Sequence, residues 1–234
     1  MTEVRPCADR REFFDRWAAD YDLTVESGAG AFPFDGYQEV LERVVALAAP
    51  TRGMSVLDIG VGTGALASLF LDHGCEVWGV DLSASMIALA RARASGLSLV
   101  RADILAGWPV ELPARFDRIV SAYTFHEFDL ATKVKLLDEL ARRHLSEGGG
   151  ILIGDIAFRD RRARDAASRV WRDAWDDGES YWVADEASEA ARGQGLTLHF
   201  ERVPPWGGVF ALCPGSAVRD VDDAGAVGGR GGRI

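Results

Sequence analysis

The stretch Val56 Leu57 Asp58 Ile59 Gly60 Val61 Gly62 Thr63 Gly64 decides the fold of this 234-residue chain. An apolar run carrying one acid ends in three glycines at alternate positions, and 65–73 then shows apolar residues at helical spacing. Strand, glycine turn and helix follow one another without a gap. Glycines at such a point let the backbone turn tightly and let a ligand lie against the main chain with no Cβ atom intervening.

The same alternation continues outward. Strand-like runs at 54–59, 75–81, 97–103, 116–123 and 150–156 are separated by helical patterns at 65–73, 83–94 and 131–145. That rhythm predicts βαβ crossovers and a parallel sheet covered by helices on both faces. Upstream, Phe13, Phe14, Trp17 and Tyr21 predict an aromatic-faced helix over 9–21, followed by a glycine-rich loop at 27–36 and a helix over 37–48 ended by Pro50. Downstream come a charged helical segment at 159–177, a helix at 184–194, and two strand-like runs at 196–203 and 208–213. The short connection Pro204 Pro205 Trp206 Gly207 suits a hairpin and cannot hold a parallel crossover, so this last pair is expected to be antiparallel. The expected fold class is α/β, doubly wound and Rossmann-like, with a mostly parallel sheet. The domain is expected over 1–213, as a helical cap (1–50), a binding core (51–156) and C-terminal helices with the hairpin (157–213). Residues 214–234, rich in Gly, Asp and Ala and without periodicity, are expected to form a flexible tail.

The acids around the glycine turn discriminate between ligands. Gly60, Gly62 and Ala65 satisfy the GxGxxG/A pattern of a dinucleotide site, so a nicotinamide or flavin stays open on glycines alone. Asp58 argues otherwise, because a pyrophosphate is bound by bare N–H groups at a helix N-terminus and a carboxylate there repels it. A ligand with an ammonium and no phosphate would welcome that acid. S-adenosylmethionine is such a ligand, with an amino-acid head, a sulfonium, a ribose diol and an adenine. Asp81 closes the second strand, 21 residues after Gly60, where a carboxylate can accept both ribose hydroxyls; this fits NAD equally well. Asp103 closes the third strand and could accept the adenine amino group, with Ile104 covering the ring.

Composition removes other classes. Lys plus Arg number 26 against 36 Asp plus Glu, a formal charge of −10, which opposes a nucleic-acid backbone as the main partner. A base methyltransferase acting on DNA would show an Asp-Pro-Pro-Tyr-like string after the fourth strand, where this chain has Ser121 Ala122 Tyr123 Thr124. No run approaches the roughly 20 apolar residues of a membrane span, and the charged N-terminus lacks a signal-peptide core, so a cytoplasmic protein is expected. Cys7, Cys75 and Cys213 are an odd, widely spaced set that fits reduced thiols. The four histidines show no HxxxH or HExxH spacing, so no metal is expected. Nothing in the sequence sets an oligomeric state.

The strings VLDIGVGTG, GVDLSASM, RADI, FDRIVSAYTFHEF and GGGILIGD stand in the order and at the spacing of the class I S-adenosylmethionine-dependent methyltransferases. The chain resembles that family over about residues 9–213, and WAADYD, VSAYTFHEF and GDIAF resemble its YrrT-like small-molecule group. The resemblance implies a seven-stranded sheet ending in the antiparallel hairpin, S-adenosyl-L-methionine as cofactor and a small-molecule methyl acceptor as partner. It also implies, by position, that Gly60, Gly62 and Gly64 touch the methionyl part, Asp81 the ribose and Asp103 the adenine. Leu82 and Met86 would flank the ring, and Ser121 would lie near the sulfonium end. Position 58 is Asp where many members carry Glu, which shortens its reach.

Methyl transfer from a sulfonium is an in-line displacement, accelerated by holding the nucleophile on the methyl axis in a water-poor pocket. A side-chain base is optional. His126, a few residues beyond the fourth strand, is the candidate for taking a proton from an acceptor with a pKa near or above 7, and Tyr123 and Asp155 are candidates for orienting that acceptor. The helix over 9–21 is either core or a lid whose Trp17 and Tyr21 face the cofactor. Two other functions fit the same turn: a non-catalytic module binding S-adenosylmethionine or S-adenosylhomocysteine, which labelled-methyl turnover would exclude, and an NAD-dependent oxidoreductase, which a cofactor titration would exclude.

Overall fold

A glycine turn between a buried strand and a helix needs a sheet around it, and the computed structural model supplies one; it describes residues 7–28 and 30–212. Three helices come first: α1 (Cys7–Trp17), α2 (Tyr21–Ser27) and α3 (Tyr37–Ala48). The alternating core follows as β1 (Ser55–Ile59), α4 (Ala65–Asp72), β2 (Glu76–Asp81), α5 (Ala84–Arg93), β3 (Ser98–Arg101), β4 (Phe116–Ala122), α6 (Leu130–Glu139) and β5 (Leu145–Phe158). The described residues end with α7 (Arg161–Val170), β6 (Trp182–Val183), α8 (Ala184–Gly193), β7 (His199–Val203) and β8 (Gly207–Leu212). The tail expected at 214–234 and Cys213 lie outside the described residues.

The strand order is β3-β2-β1-β4-β5-β8-β7, with the two-residue β6 paired to the far end of β5. Strands β1 to β5 pair in parallel, whereas β8 runs antiparallel to both β5 and β7, as the short hairpin connection requires. Period-two alternation divides the sheet between two cores. Val56, Val120, Leu152 and Ile156 face one, under α3 and α4; Leu57, Ile59, Ile119, Ile151 and Ile153 face the other, under α6 and α8. Truncating a fully buried member such as Leu57 to Ala would cost about 2–5 kcal/mol.

Helix starts follow local chemistry. Ser83 caps α5 by accepting from Met86 N (3.1 Å), Asp129 caps α6 through Thr132 N (2.7 Å), and Asp160 caps α7 through Ala163 N (2.8 Å). Strand order reverses between β1 and β4, and the crevice at their carboxyl ends is where a doubly wound sheet binds its ligand.

Several element boundaries differ from the sequence expectation. The helix expected over 9–21 breaks at Ala18–Asp20 into a tight 3₁₀ turn, where Ala18 is buried, and resumes as α2. The bend lets both halves reach the sheet: Asp15 accepts from Ser83 Oγ (2.5 Å), and Asp22 accepts from Thr63 Oγ1 (2.7 Å) and pairs with Arg93. The segment expected as helix over 159–177 keeps helix only to Val170. Beyond it Trp171 and Trp175 pack on Phe32 with ring centroids 6.3 and 5.4 Å away, and that packing overrides helical register. The last turn before β5 is a π-helix, and β5 itself starts at Leu145, five residues earlier than the expected start at Gly150.

Candidate functional site

The cleft at the switch point is floored by Ile59, Gly60, Gly62, Val80, Asp81, Leu82 and Met86 and walled by Asp103, Ile104, Tyr123, His126, Glu127 and Glu179. Arg10, Phe14, Trp17 and Tyr21 roof it from α1 and α2, with Pro33 and Phe34 beside them. The aromatic face of the N-terminal helix therefore borders the cleft.

The glycine turn has the form its sequence predicts. Gly60, Gly62 and Gly64 all take positive φ (70°, 52° and 86°). A Cβ on Gly60 would sit 2.2 Å from Thr124 Oγ1, so glycine here also admits the loop after β4. Gly64, by contrast, borders α5 rather than the cleft: its Cβ would press on Ala90 at 3.3 Å. Its positive φ and this approach to Ala90 both favour glycine at 64. Ser121 has a structural contact of its own. It is fully buried and donates to Ile59 O at 2.6 Å, which ties β4 to β1 and leaves its hydroxyl engaged away from the cleft.

Asp58 is 1% exposed, and neither of its carboxylate oxygens has a hydrogen-bond partner among the described residues. It borders a small cavity behind the turn that shares Tyr21, Gly60, Gly62 and Ala122 with the main cleft. Burial, reinforced by the nearby Asp81 charge and offset only in part by the nearby Ala67 amide, pushes its pKa well above the ordinary carboxylate range. Burial favours the neutral acid here, and a cation placed beside it would favour the ionised form.

Asp81 accepts from Gly62 N (3.0 Å) on one oxygen and from Ser83 N (2.8 Å) on the other. Each oxygen keeps a second lone pair, so the residue can set the turn and still receive a diol. Burial raises its pKa against the pull of these amides. Asp103 accepts from Leu105 N (3.0 Å) and from the buried Arg10 (Nη2, 3.2 Å), an ion pair that fastens α1 to the rim of the cleft.

At the other end, His126 and Asp155 are locked together. Asp155, fully buried, accepts from His126 N (2.9 Å), His126 Nδ1 (2.7 Å), Ile156 N (2.8 Å) and Trp182 Nε1 (3.1 Å). Asp155 thus orients His126 and does not face an acceptor, which corrects the expectation for that residue. Burial lowers the His126 pKa, but the charges of Asp155, Glu179 and Glu127 outweigh it and hold the imidazole at about 9. These carboxylates favour the protonated imidazole in the free protein. Lys133 lies behind, 1% exposed, over the Trp182 ring at 4.4 Å and donating to Ser180 O.

Tyr123 adopts φ +50°, a conformation that costs a non-glycine residue roughly 1 kcal/mol or more. Its amide donates to Gly154 O (2.9 Å) and its ring stacks on Tyr37 at 4.7 Å, so β5 and α3 together hold it at the cleft. Glu179, Glu127 and Arg10 were missed by sequence reasoning. Glu179 sits in an irregular turn where no periodicity marks it, and Arg10 is one of many arginines.

Residues 56–149 match the family described as Methyltransferase domain. An uncharacterized methyltransferase of Geobacillus kaustophilus is 34% identical over 202 residues, covering 81% of this chain and 91% of that protein. The uncharacterized methyltransferase YrrT of Bacillus subtilis is 34% identical over 159 residues, covering 65% of this chain and 71% of that protein. Among solved structures, the DhpI–SAM–HEP complex superposes with a TM-score of 0.71 at 17% identity, covering 92% of this chain and 100% of the other, a likeness of fold.

Proposed function

Because the chain belongs to the class I S-adenosylmethionine-dependent methyltransferase family, we propose that it moves a methyl group from S-adenosylmethionine to a small-molecule acceptor. The observation that carries the cofactor assignment is Asp58, a buried carboxylate with both oxygens unpartnered beside the glycine turn. An ammonium fits it; a phosphate would add charge of the same sign. When bound, S-adenosylmethionine supplies an electrophilic methyl on a sulfonium.

Every other task falls to this chain's residues. Asp58 receives the ammonium, the Gly60 and Gly62 main chain admits the methionyl part, and Asp81 takes the ribose hydroxyls on its remaining lone pairs. Leu82, Met86 and Ile104 enclose the adenine, with Asp103 at its edge. Tyr123, His126 and Glu179 face the acceptor, and the roof from α1 and α2 excludes water.

That roof also favours a small acceptor, since Arg10, Phe14, Trp17 and Tyr21 cover the cleft where a polymer would have to enter. The net charge of −10 disfavours nucleic acid further. Turnover of labelled methyl groups against a panel of oxygen, nitrogen and sulfur acceptors of low mass, run beside tRNA and protein, tests the reading. Methylation of a small acceptor is expected, and transfer confined to a macromolecule would overturn it.

A further inference from the structure

We propose that His126, Glu127 and Glu179 form a site for one divalent transition-metal cation at the acceptor end of the cleft. A ligating atom from each of the three lies within 4.8 Å of the other two. His126 Nε2 stands 3.9 Å from Glu179 Oε1, beyond hydrogen-bond range. Two ligands bonded at about 2.1 Å to a tetrahedral ion are about 3.4 Å apart, so the group needs to close by roughly 1 Å. Glu179 can supply that movement: it sits in the turn between α7 and β6 with its side chain 20% exposed.

The second observation concerns the imidazole. His126 is 8% exposed, lines the cleft, and has no hydrogen bond on Nε2 among the described residues, while its Nδ1 is bonded to Asp155 at 2.7 Å. A carboxylate behind one ring nitrogen fixes the other as the ligating atom, the arrangement that orients metal-bound histidines. Asp155 is itself anchored by Ile156 N and Trp182 Nε1, so the imidazole is preset rather than swinging. The cation takes the place of the Nε2 proton.

One imidazole and two carboxylates suit ions such as Mn²⁺, Fe²⁺ or Zn²⁺. Three protein ligands leave coordination positions open toward the cleft, where an acceptor oxygen, hydroxyl or carboxylate, would bind. This acceptor class rests on the function proposed above; the metal site itself does not. Sequence spacing could not show it, because Glu179 lies far along the chain from the His126 Glu127 pair.

Chelator-treated full-length protein titrated with Mn²⁺, followed by loss of the free-ion EPR signal, and with Zn²⁺ against a chromophoric chelator, tests the site. One equivalent is expected to bind, and Glu179→Gln and Glu127→Gln should each weaken binding about tenfold or more with circular dichroism melts unchanged. Absence of saturable binding up to about 1 mM, or affinity unaltered in both variants, overturns the proposal. S-adenosylhomocysteine titrated in parallel reports on the methyltransferase reading separately, since the metal measurement requires neither cofactor nor acceptor.

Discussion

His126 Nδ1 donates to Asp155 Oδ1 at 2.7 Å, joining the loop after β4 to the buried reach of β5 across 29 positions of sequence. Because Asp155 also accepts from the His126 amide and from Trp182 Nε1, one carboxylate sets the loop, the ring and the start of β6 together. Asp155→Asn replaces one acceptor oxygen by a donor and removes the charge from the middle of that network. It is expected to cost about 3 kcal/mol of stability in urea unfolding and to lower turnover more than cofactor affinity. An unchanged unfolding midpoint would show that the network is dispensable.

Asp58 makes an opposite prediction. Its folded pKa lies well above the unfolded value of 3.8, so ionising it in the free protein costs stability that appears as pH rises above 3.8. Asp58→Asn removes that cost and should raise the melting temperature of the unliganded protein at neutral pH. The same substitution should weaken S-adenosylhomocysteine binding about tenfold or more, since the ammonium loses its counter-charge. A destabilised variant with intact affinity would contradict both halves.

Lys133 carries a pH dependence. Burial lowers its pKa from 10.5 to about 8, against the charges of Asp155 and Asp129. Between these values the unfolded chain binds more protons than the folded one, so stability rises with pH there, and the penalty is present in full below the folded pKa. The stability difference between wild type and Lys133→Met should therefore shift in favour of wild type by about 3 kcal/mol between pH 7 and 10.5. A difference independent of pH would mean that Lys133 is not held in the depressed state.

The clasp of α1 onto α5 is testable through Asp15, which accepts from Ser83 Oγ and Ser85 N. Asp15→Ala should leave the core melting unchanged while hydrogen exchange accelerates across 7–27 and S-adenosylhomocysteine dissociates several-fold faster. Unaltered exchange in that segment would show that the aromatic contacts alone hold the roof.

The parallel core was legible because strand and helix periods alternate cleanly from Val56 to Ile156, and the antiparallel ending because four residues cannot carry a crossover. The placement of Gly60, Gly62, Asp81 and Asp103 at the cleft was legible from their positions at strand ends. The further contacts of Gly64 with Ala90 and of Ser121 with Ile59 O leave no local signature in the sequence. The same holds for the bend at 18–20 that follows α1, where the flanking Asp15 and Asp22 bond Ser83 and Thr63, and for Glu179, which lines the cleft from an irregular turn far along the chain. The upward pull on the His126 pKa comes from three carboxylates converging in space, of which the sequence places only Glu127 beside it.

Calorimetric titration of the purified protein with S-adenosylmethionine, S-adenosylhomocysteine and NAD, repeated on Asp81→Ala, addresses the central claim most directly. Both sulfur ligands should bind at one site per chain and NAD should not, and the substitution should weaken binding by about 1.5–3 kcal/mol, the scale of hydrogen bonds involving a charged group. Saturable NAD binding, or an Asp81→Ala dissociation constant equal to that of wild type, would contradict the account.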